Sequence, residues 1–119
     1  MTAPIPALQI AIEYFDAWRD HRHDDAMKVV ADDVVSETPF GPIHGADALR
    51  DSEAQFAPML QGATLVASYG DDTTALLLYY THTHPAPNVL SAKCFEITGG
   101  KITAIKALFD TGAFANANA

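Results

Sequence analysis

Residues 5–20, IPALQIAIEYFDAWRD, decide the architecture. Gln9, Glu13, Asp16 and Asp20 fall at i, i+4, i+7 and i+11, which places them on one narrow face of an α-helix. Nearly everything else is apolar: Leu8, Ile10, Ala11, Ile12, Tyr14, Phe15 and Trp18. A helix with so wide an apolar arc is covered on most of its sides. It is expected to lie across a sheet rather than on a surface.

The flanking sequence supplies that sheet. HRHDD, residues 21–25, reads as a polar connection, and Asp24 as the N-cap of a short helix over 25–31. DVVSET, residues 33–38, reads as a short strand ended by Pro39, which cannot continue a central ladder. FGPIHG is expected to be a loop. Gly45-Ala46-Asp47 then opens a third helix running to about Leu60, with Leu49, Ser52, Phe56 and Leu60 as its inner stripe. After Gln61-Gly62 the period shortens to that of a strand, and four strands are expected over 63–69, 73–84, 89–98 and 101–110. GDD, PAPN and GG separate them, all of them turn chemistry, and ITGGKI is a hairpin signal. The order α-α-β-α-β-β-β-β points to an α+β fold with helices packed on one face of a curved antiparallel sheet. FANANA at the end is expected to fray. No internal repeat or linker interrupts the chain, so 1–119 is expected to be a single domain.

Bulk properties narrow the function. A chain of 119 residues is long enough for one core. Its formal net charge of −8 argues against nucleic acid, which needs a basic stripe, and its seven Lys and Arg are scattered. No apolar run approaches the roughly 20 residues of a membrane span. The start, MTAPIPALQ, lacks a basic n-region, so a secretory signal is not expected. A single cysteine, Cys94, fits a reducing, cytoplasmic setting and reads as a small buried hydrophobe.

AIEYFDAWRDHRHDDAMKVVADDVV, PFGPIHGADALR and KITAIKALFD, in this order and spacing, resemble the NTF2-like superfamily, which includes SnoaL-like polyketide cyclases and steroid delta-isomerases. The resemblance implies a cone: a strongly bent sheet wrapped around the long first helix, enclosing a pocket for a small, mostly apolar molecule. It also implies a homodimer through the outer sheet face and, where there is catalysis, cofactor-free isomerase, cyclase or hydratase chemistry on a carbonyl or epoxide compound. A non-catalytic ligand-binding or dimerisation module is the other reading, because one fold hosts many functions.

Strand alternation proposes the pocket wall. Phe95 and Ile97 should face inward, carrying Ser91 and Lys93 with them, and Ile105, Ala107 and Phe109 should join them. On 73–84 both parities are apolar, and the choice between Leu77-Tyr79-Thr81 and Leu78-Tyr80-His82 stays open. Trp18, Thr38, Phe40, Phe56, Tyr79, Phe95, Ile105, Ala107 and Phe109 are the candidate ligand-binding residues.

Five residues are candidates for chemistry. The resemblance puts Tyr14 where steroid delta-isomerases carry an oxyanion-stabilising Tyr; otherwise it is a core Tyr. It puts Thr38 where those enzymes keep a basic Asp, and Thr cannot abstract a proton alone at neutral pH. It sets Lys93 near their second acidic donor. A Lys there can bind an anion or a carbonyl group or act as a base, or else reach the open mouth along its stem. Glu37 can replace the missing base only if a bulge turns it inward. Asp110 resembles the late-strand acid of SnoaL-like cyclases, although it also suits a C-terminal turn. His44 can shuttle protons from the rim. His82 and His84 have a spacing that metal sites use, but no third ligand is near, and neither a metal nor a cofactor is expected.

Overall fold

The computed structural model describes residues 6–84 and 86–112. The expected fraying of FANANA and the Ile5 start of the first helix lie outside them. The element order is α1 (Ala7–Arg19), α2 (His23–Met27), β1 (Val30–Thr38), β2 (Gly41–His44), α3 (Ala46–Phe56), a short 3-10 turn (Ala57–Met59), β3 (Leu60–Gly70), β4 (Thr74–Thr83), β5 (Val89–Thr98) and β6 (Lys101–Phe109).

Six strands form one sheet in the order β2-β1-β6-β5-β4-β3. All neighbours are antiparallel except β1 and β6, which run parallel. Register shifts in the β1–β6, β3–β4 and β5–β6 ladders mark the bulges that let a sheet curve. Helix α1 packs on the concave face against β3 to β6, with Ile10, Ala11, Tyr14, Phe15, Ala17 and Trp18 buried and Gln9 and Glu13 exposed. Its wide apolar arc has its explanation there.

Local details differ from expectation. FGPIHG is not a loop: Gly41–His44 is an edge strand that pairs Ser36 with Ile43 and Glu37 with Pro42. An edge tolerates Pro42 because its missing N–H faces no partner. The turn into it uses Thr38, whose hydroxyl donates to the Gly41 carbonyl at 2.9 Å and accepts from the Phe40 N–H at 3.1 Å. Gly41 adopts a φ of 119°, which a side chain would resist. The second helix is His23–Met27 rather than 25–31, so Asp24 lies in its first turn and Arg22 is the cap. Helix α3 stops at Phe56, and Leu60 belongs to β3, because Pro58 forces a 3-10 turn.

The open choice on 73–84 resolves: Ala75, Leu77, Tyr79, Thr81 and Thr83 are buried, while Leu76 and Tyr80 are exposed. On β6 the bulge between the Glu96 and Ile97 pairings changes parity, so Ile102 is buried alongside Ile105 and Ala107. Among the described residues no helix is long and apolar enough to cross a membrane.

Candidate active site

Helix α1, the inner faces of β1, β4, β5 and β6, and helix α3 enclose a cavity of about 500 Å³. That is the size of ordinary small-molecule sites. One wall is aromatic. Trp18 stacks on Phe56 with ring centroids 6.3 Å apart and planes 3° from parallel, and Tyr79 meets Trp18 edge-on at 5.9 Å. Ile43, Leu49, Ile105, Ala107, Phe109 and Met59 continue the apolar surface, with Ser36, Thr81 and Ser91 as scattered hydroxyls.

Tyr14 from α1, Glu53 from α3 and Lys93 from β5 meet in this lining. Tyr14 is 1% exposed and donates its hydroxyl proton to Glu53 Oε1. Glu53 is 6% exposed; its Oε2 has no hydrogen-bond partner and lies 3.9 Å from His23 Nδ1, which is also unpartnered. The Lys93 ammonium sits 4.3 Å from the Trp18 ring centroid and 5.6 Å from that of Tyr14. An ammonium on these π-faces is attracted by the ring quadrupole, more so when water is excluded.

Burial controls the protonation of this cluster. It raises the Glu53 carboxyl above its usual range, against the charge of Lys93, the Tyr14 hydrogen bond and His23, which all pull it down. Burial lowers Lys93, and the nearby Glu53 partly restores it. Tyr14 is held well above an ordinary phenol by burial first and by Glu53 second, so it remains a donor. Tyr79 is raised by burial alone. An acid pushed up and an amine pushed down are brought closer together in proton affinity, the direction that suits proton exchange with a bound molecule.

Local sequence explains why α3 delivers Glu53 here. Leu49, Glu53 and Phe56 fall at i, i+4 and i+7 and share the face turned to the cavity. Outside, Arg50 reaches across to Asp24 of α2 with an N–O distance of 2.7 Å, joining the two helices that carry Glu53 and His23. The signal for Glu53 was an acid within an apolar stripe; reading the stripe through Ser52 alone passed over it.

The cavity lining contains Tyr14, Lys93, Trp18, Thr38, Phe40, Phe56, Tyr79, Ile105, Ala107 and Phe109, all named from the sequence. Phe95 is fully buried and packs edge-on behind Tyr14 at 5.6 Å, so it supports the wall without forming it. Three chemical candidates lie elsewhere. The Glu37 side chain is 62% exposed, on the outer parity of β1, 4.0 Å from Lys106, and no bulge turns it in. His44 is exposed on β2, opposite Val35. Asp110 is exposed and accepts the Gly112 N–H at 2.9 Å, the turn role open to it from the sequence. Thr38 lines the cavity with its hydroxyl committed to the β1–β2 turn. His82 binds outward to Thr64 and the Pro87 carbonyl. Among the described residues no three His, Cys, Asp or Glu side chains gather as a metal site.

The family model for the SnoaL-like domain matches residues 11–105. No curated protein matches the chain. Among solved structures, it is similar to a protein from Kribbella flavida DSM 17836 at 38% identity and a TM-score of 0.92, covering 95% of this chain and 93% of that one. An NTF2-like protein of unknown function from Cytophaga hutchinsonii ATCC 33406 shares 14% identity and a TM-score of 0.82, over 97% and 99% of the two chains. An LEH-like epoxide hydrolase from M. tuberculosis shares 17% identity and a TM-score of 0.77, over 93% and 87%. The last two likenesses concern the fold.

Proposed function

We propose that this chain, which belongs to the SnoaL-like domain family, binds a small, mostly apolar carbonyl or epoxide compound in its cone and moves a proton on it without a cofactor. The observation that carries this reading is the Tyr14–Glu53–Lys93 cluster set into an otherwise apolar cavity. Both substrate classes carry an oxygen that gains negative charge as they react. Lys93 is the group of the right charge to stabilise it, in a mostly apolar lining where such an interaction counts for more than in water. Glu53 carries the proton. Tyr14 is a positioning residue: its hydroxyl proton is engaged by Glu53 and holds that carboxyl in place.

This assignment fills the two gaps that set the chain apart from steroid delta-isomerases. The acid absent at Thr38 on β1 enters from α3 as Glu53, and Lys93 itself takes the place of the second donor on β5. The spatial requirement for acid–base work is a carboxyl at the cavity wall, not its position in the chain.

The test uses 2-tetralone in deuterated water, read by NMR as exchange at the α-carbons, and styrene oxide in ¹⁸O-water, read by mass spectrometry as ring opening. The protein should accelerate one of them, and Glu53→Gln should slow it by about a hundred-fold or more. Rates equal to buffer alone, or a Glu53→Gln variant as fast as the parent, refute the acid–base role. The commitment of the Thr38 hydroxyl to a turn favours a second reading, a non-catalytic binder. That reading requires a retained small molecule in native mass spectrometry and neither reaction.

The same proposal includes a homodimer through the convex sheet face. Tyr69, Leu76, Leu90 and Leu108 are each between 45% and 69% exposed there. Strand pairing joins part of this surface into one apolar band, Ala67–Leu78–Ala92–Leu108. A contiguous apolar patch of that kind marks an association surface.

A further inference from the structure

The geometry points to Lys93 as a nucleophile: its amine condenses with the carbonyl carbon of an aldehyde or ketone held in the cone, and the substrate is processed as a covalent iminium. This rests on the proposed function and narrows it: carbonyl compounds are selected over epoxides, and Lys93 acts as the free amine that bonds to carbon rather than as an ammonium beside the oxygen.

Placement is the first argument. Lys93 lies mid-strand on β5, paired with Leu77 of β4 and Ala107 of β6, so its backbone is fixed on both sides. Only the side chain extends into the cavity. The second argument is its partners. Lys28 pairs with Asp25, Lys106 with Glu37, and Lys101 donates to the Lys28 carbonyl; all three are exposed. Among the described residues Lys93 makes no contact ion pair, and its nitrogen rests on the faces of Trp18 and Tyr14 instead. A purely structural lysine beside a buried carboxylate would close onto it. This one is held against an open cavity.

The surroundings suit each stage of the condensation. Burial favours the neutral amine, which is the form that attacks. The amine lone pair forms the C–N bond, and the carbonyl π-pair moves to oxygen, which takes up one of the two protons of the attacking nitrogen. Glu53, whose protonated form burial favours, donates a proton to the resulting hydroxyl, which leaves as water. Nitrogen keeps one hydrogen and the positive charge as C=N⁺. Atoms balance as amine plus carbonyl plus proton giving iminium plus water, and no oxidant or reductant enters. The aromatic faces that attract an ammonium attract the iminium as well. The electron-poor iminium carbon acidifies its α-hydrogens, and the Glu53 carboxylate that remains after its proton has gone to the departing water is the base that removes one.

The test uses the whole chain with 2-tetralone and sodium cyanoborohydride, followed by peptide mapping. The expected result is one reduced adduct per chain, on Lys93, with Lys28, Lys101 and Lys106 unmodified at the same exposure. It should be lost in Lys93→Arg, which keeps the charge. A second readout is oxygen exchange: iminium hydrolysis brings ¹⁸O from water into recovered 2-tetralone, whereas enolisation does not. Wild-type protein should accelerate this wash-in over buffer, and Lys93→Arg should not. Adducts spread over the surface lysines without preference for Lys93 overturn the proposal, and this holds even if Lys93→Arg fails to fold. Continued α-deuteration with neither adduct nor ¹⁸O wash-in overturns the covalent step and leaves the proton-transfer reading standing. A Lys93 adduct without accelerated deuteration supports the covalent step and removes that reading.

Discussion

Replacing Tyr14 by Phe removes one hydroxyl and strips Glu53 Oε1 of its donor. The ring remains, and with it the edge contact to Phe95 at 5.6 Å, so the change isolates the hydrogen bond from the packing. A hydrogen bond to a charged acceptor contributes about 1.5–3 kcal/mol, and an unmet buried carboxylate oxygen costs a similar amount. Relief of the hydroxyl's own burial offsets part of this, leaving about 2 kcal/mol while Glu53 is ionised. The pH dependence has a definite sign. Burial raises the folded-state value of Glu53, so the folded protein binds this proton more tightly than the unfolded chain does. Stability from this group is fullest below the ordinary carboxylate range and is lost as pH rises through the raised folded value. The Tyr14 hydrogen bond pulls Glu53 down and limits that loss. Tyr14→Phe therefore raises Glu53 further and steepens the fall. Its cost should be about 2 kcal/mol at about pH 8 and clearly smaller at about pH 4. In a domain of this length that is a drop in melting temperature of roughly 8 °C at the higher pH. The assay is thermal unfolding by circular dichroism across that range, in parent and Glu53→Gln backgrounds. Gln keeps an acceptor for Tyr14 and cannot ionise, so in its background the cost should be independent of pH and near 1 kcal/mol. An equal Tyr14→Phe cost at both pH values in the parent background would refute the reasoning.

Two further outcomes are expected. A Cβ at Gly70 would lie 3.0 Å from both Leu8 Cβ and the Thr74 carbonyl oxygen, so Gly70→Ala should lower the urea midpoint by an amount equivalent to about 1–3 kcal/mol as α1 and the β3–β4 turn shift apart. Leu108→Glu places a charge at the β6 end of the convex apolar band, on its most exposed residue, and sedimentation velocity should show a smaller species than the parent; an unchanged dimer, or a parent that is already monomeric, rules out that contact.

Much of the architecture was legible because each signal is local. The polar residues Gln9, Glu13, Asp16 and Asp20 mark the side of α1 that faces away from the sheet. The alternation Ser91, Lys93, Phe95, Ile97 identified the inner face of β5, and the turn residues separated the strands of the meander. Legibility failed where two elements had to be combined. Glu53 stands at i+4 from Leu49 in the apolar stripe of its own helix, but only the approach of α1 and β5 buries it and turns that placement into a site. Glu37, His44 and Asp110 have suitable chemistry but lie on strand parities or edges that face water. The strand over Gly41–His44 contains Gly and Pro, which are poor formers of strands, and exists because β1 offers an edge to pair with.

By itself the sequence determined the elements and their order except for the β2 edge strand, the resemblance to a cone-shaped fold and most of the apolar wall. Hydrophobic period reports which side of a segment is shielded from water, and that information is carried residue by residue. The tertiary structure decided which inner face β4 presents, where the sheet bends, and which ionisable groups share the cavity. Those outcomes depend on distances between segments far apart in the chain. Whether Glu53 is a solvated acid or a raised one, and whether Lys93 finds a carboxylate or an aromatic face, follows from desolvation by neighbours that neither residue has in its own segment.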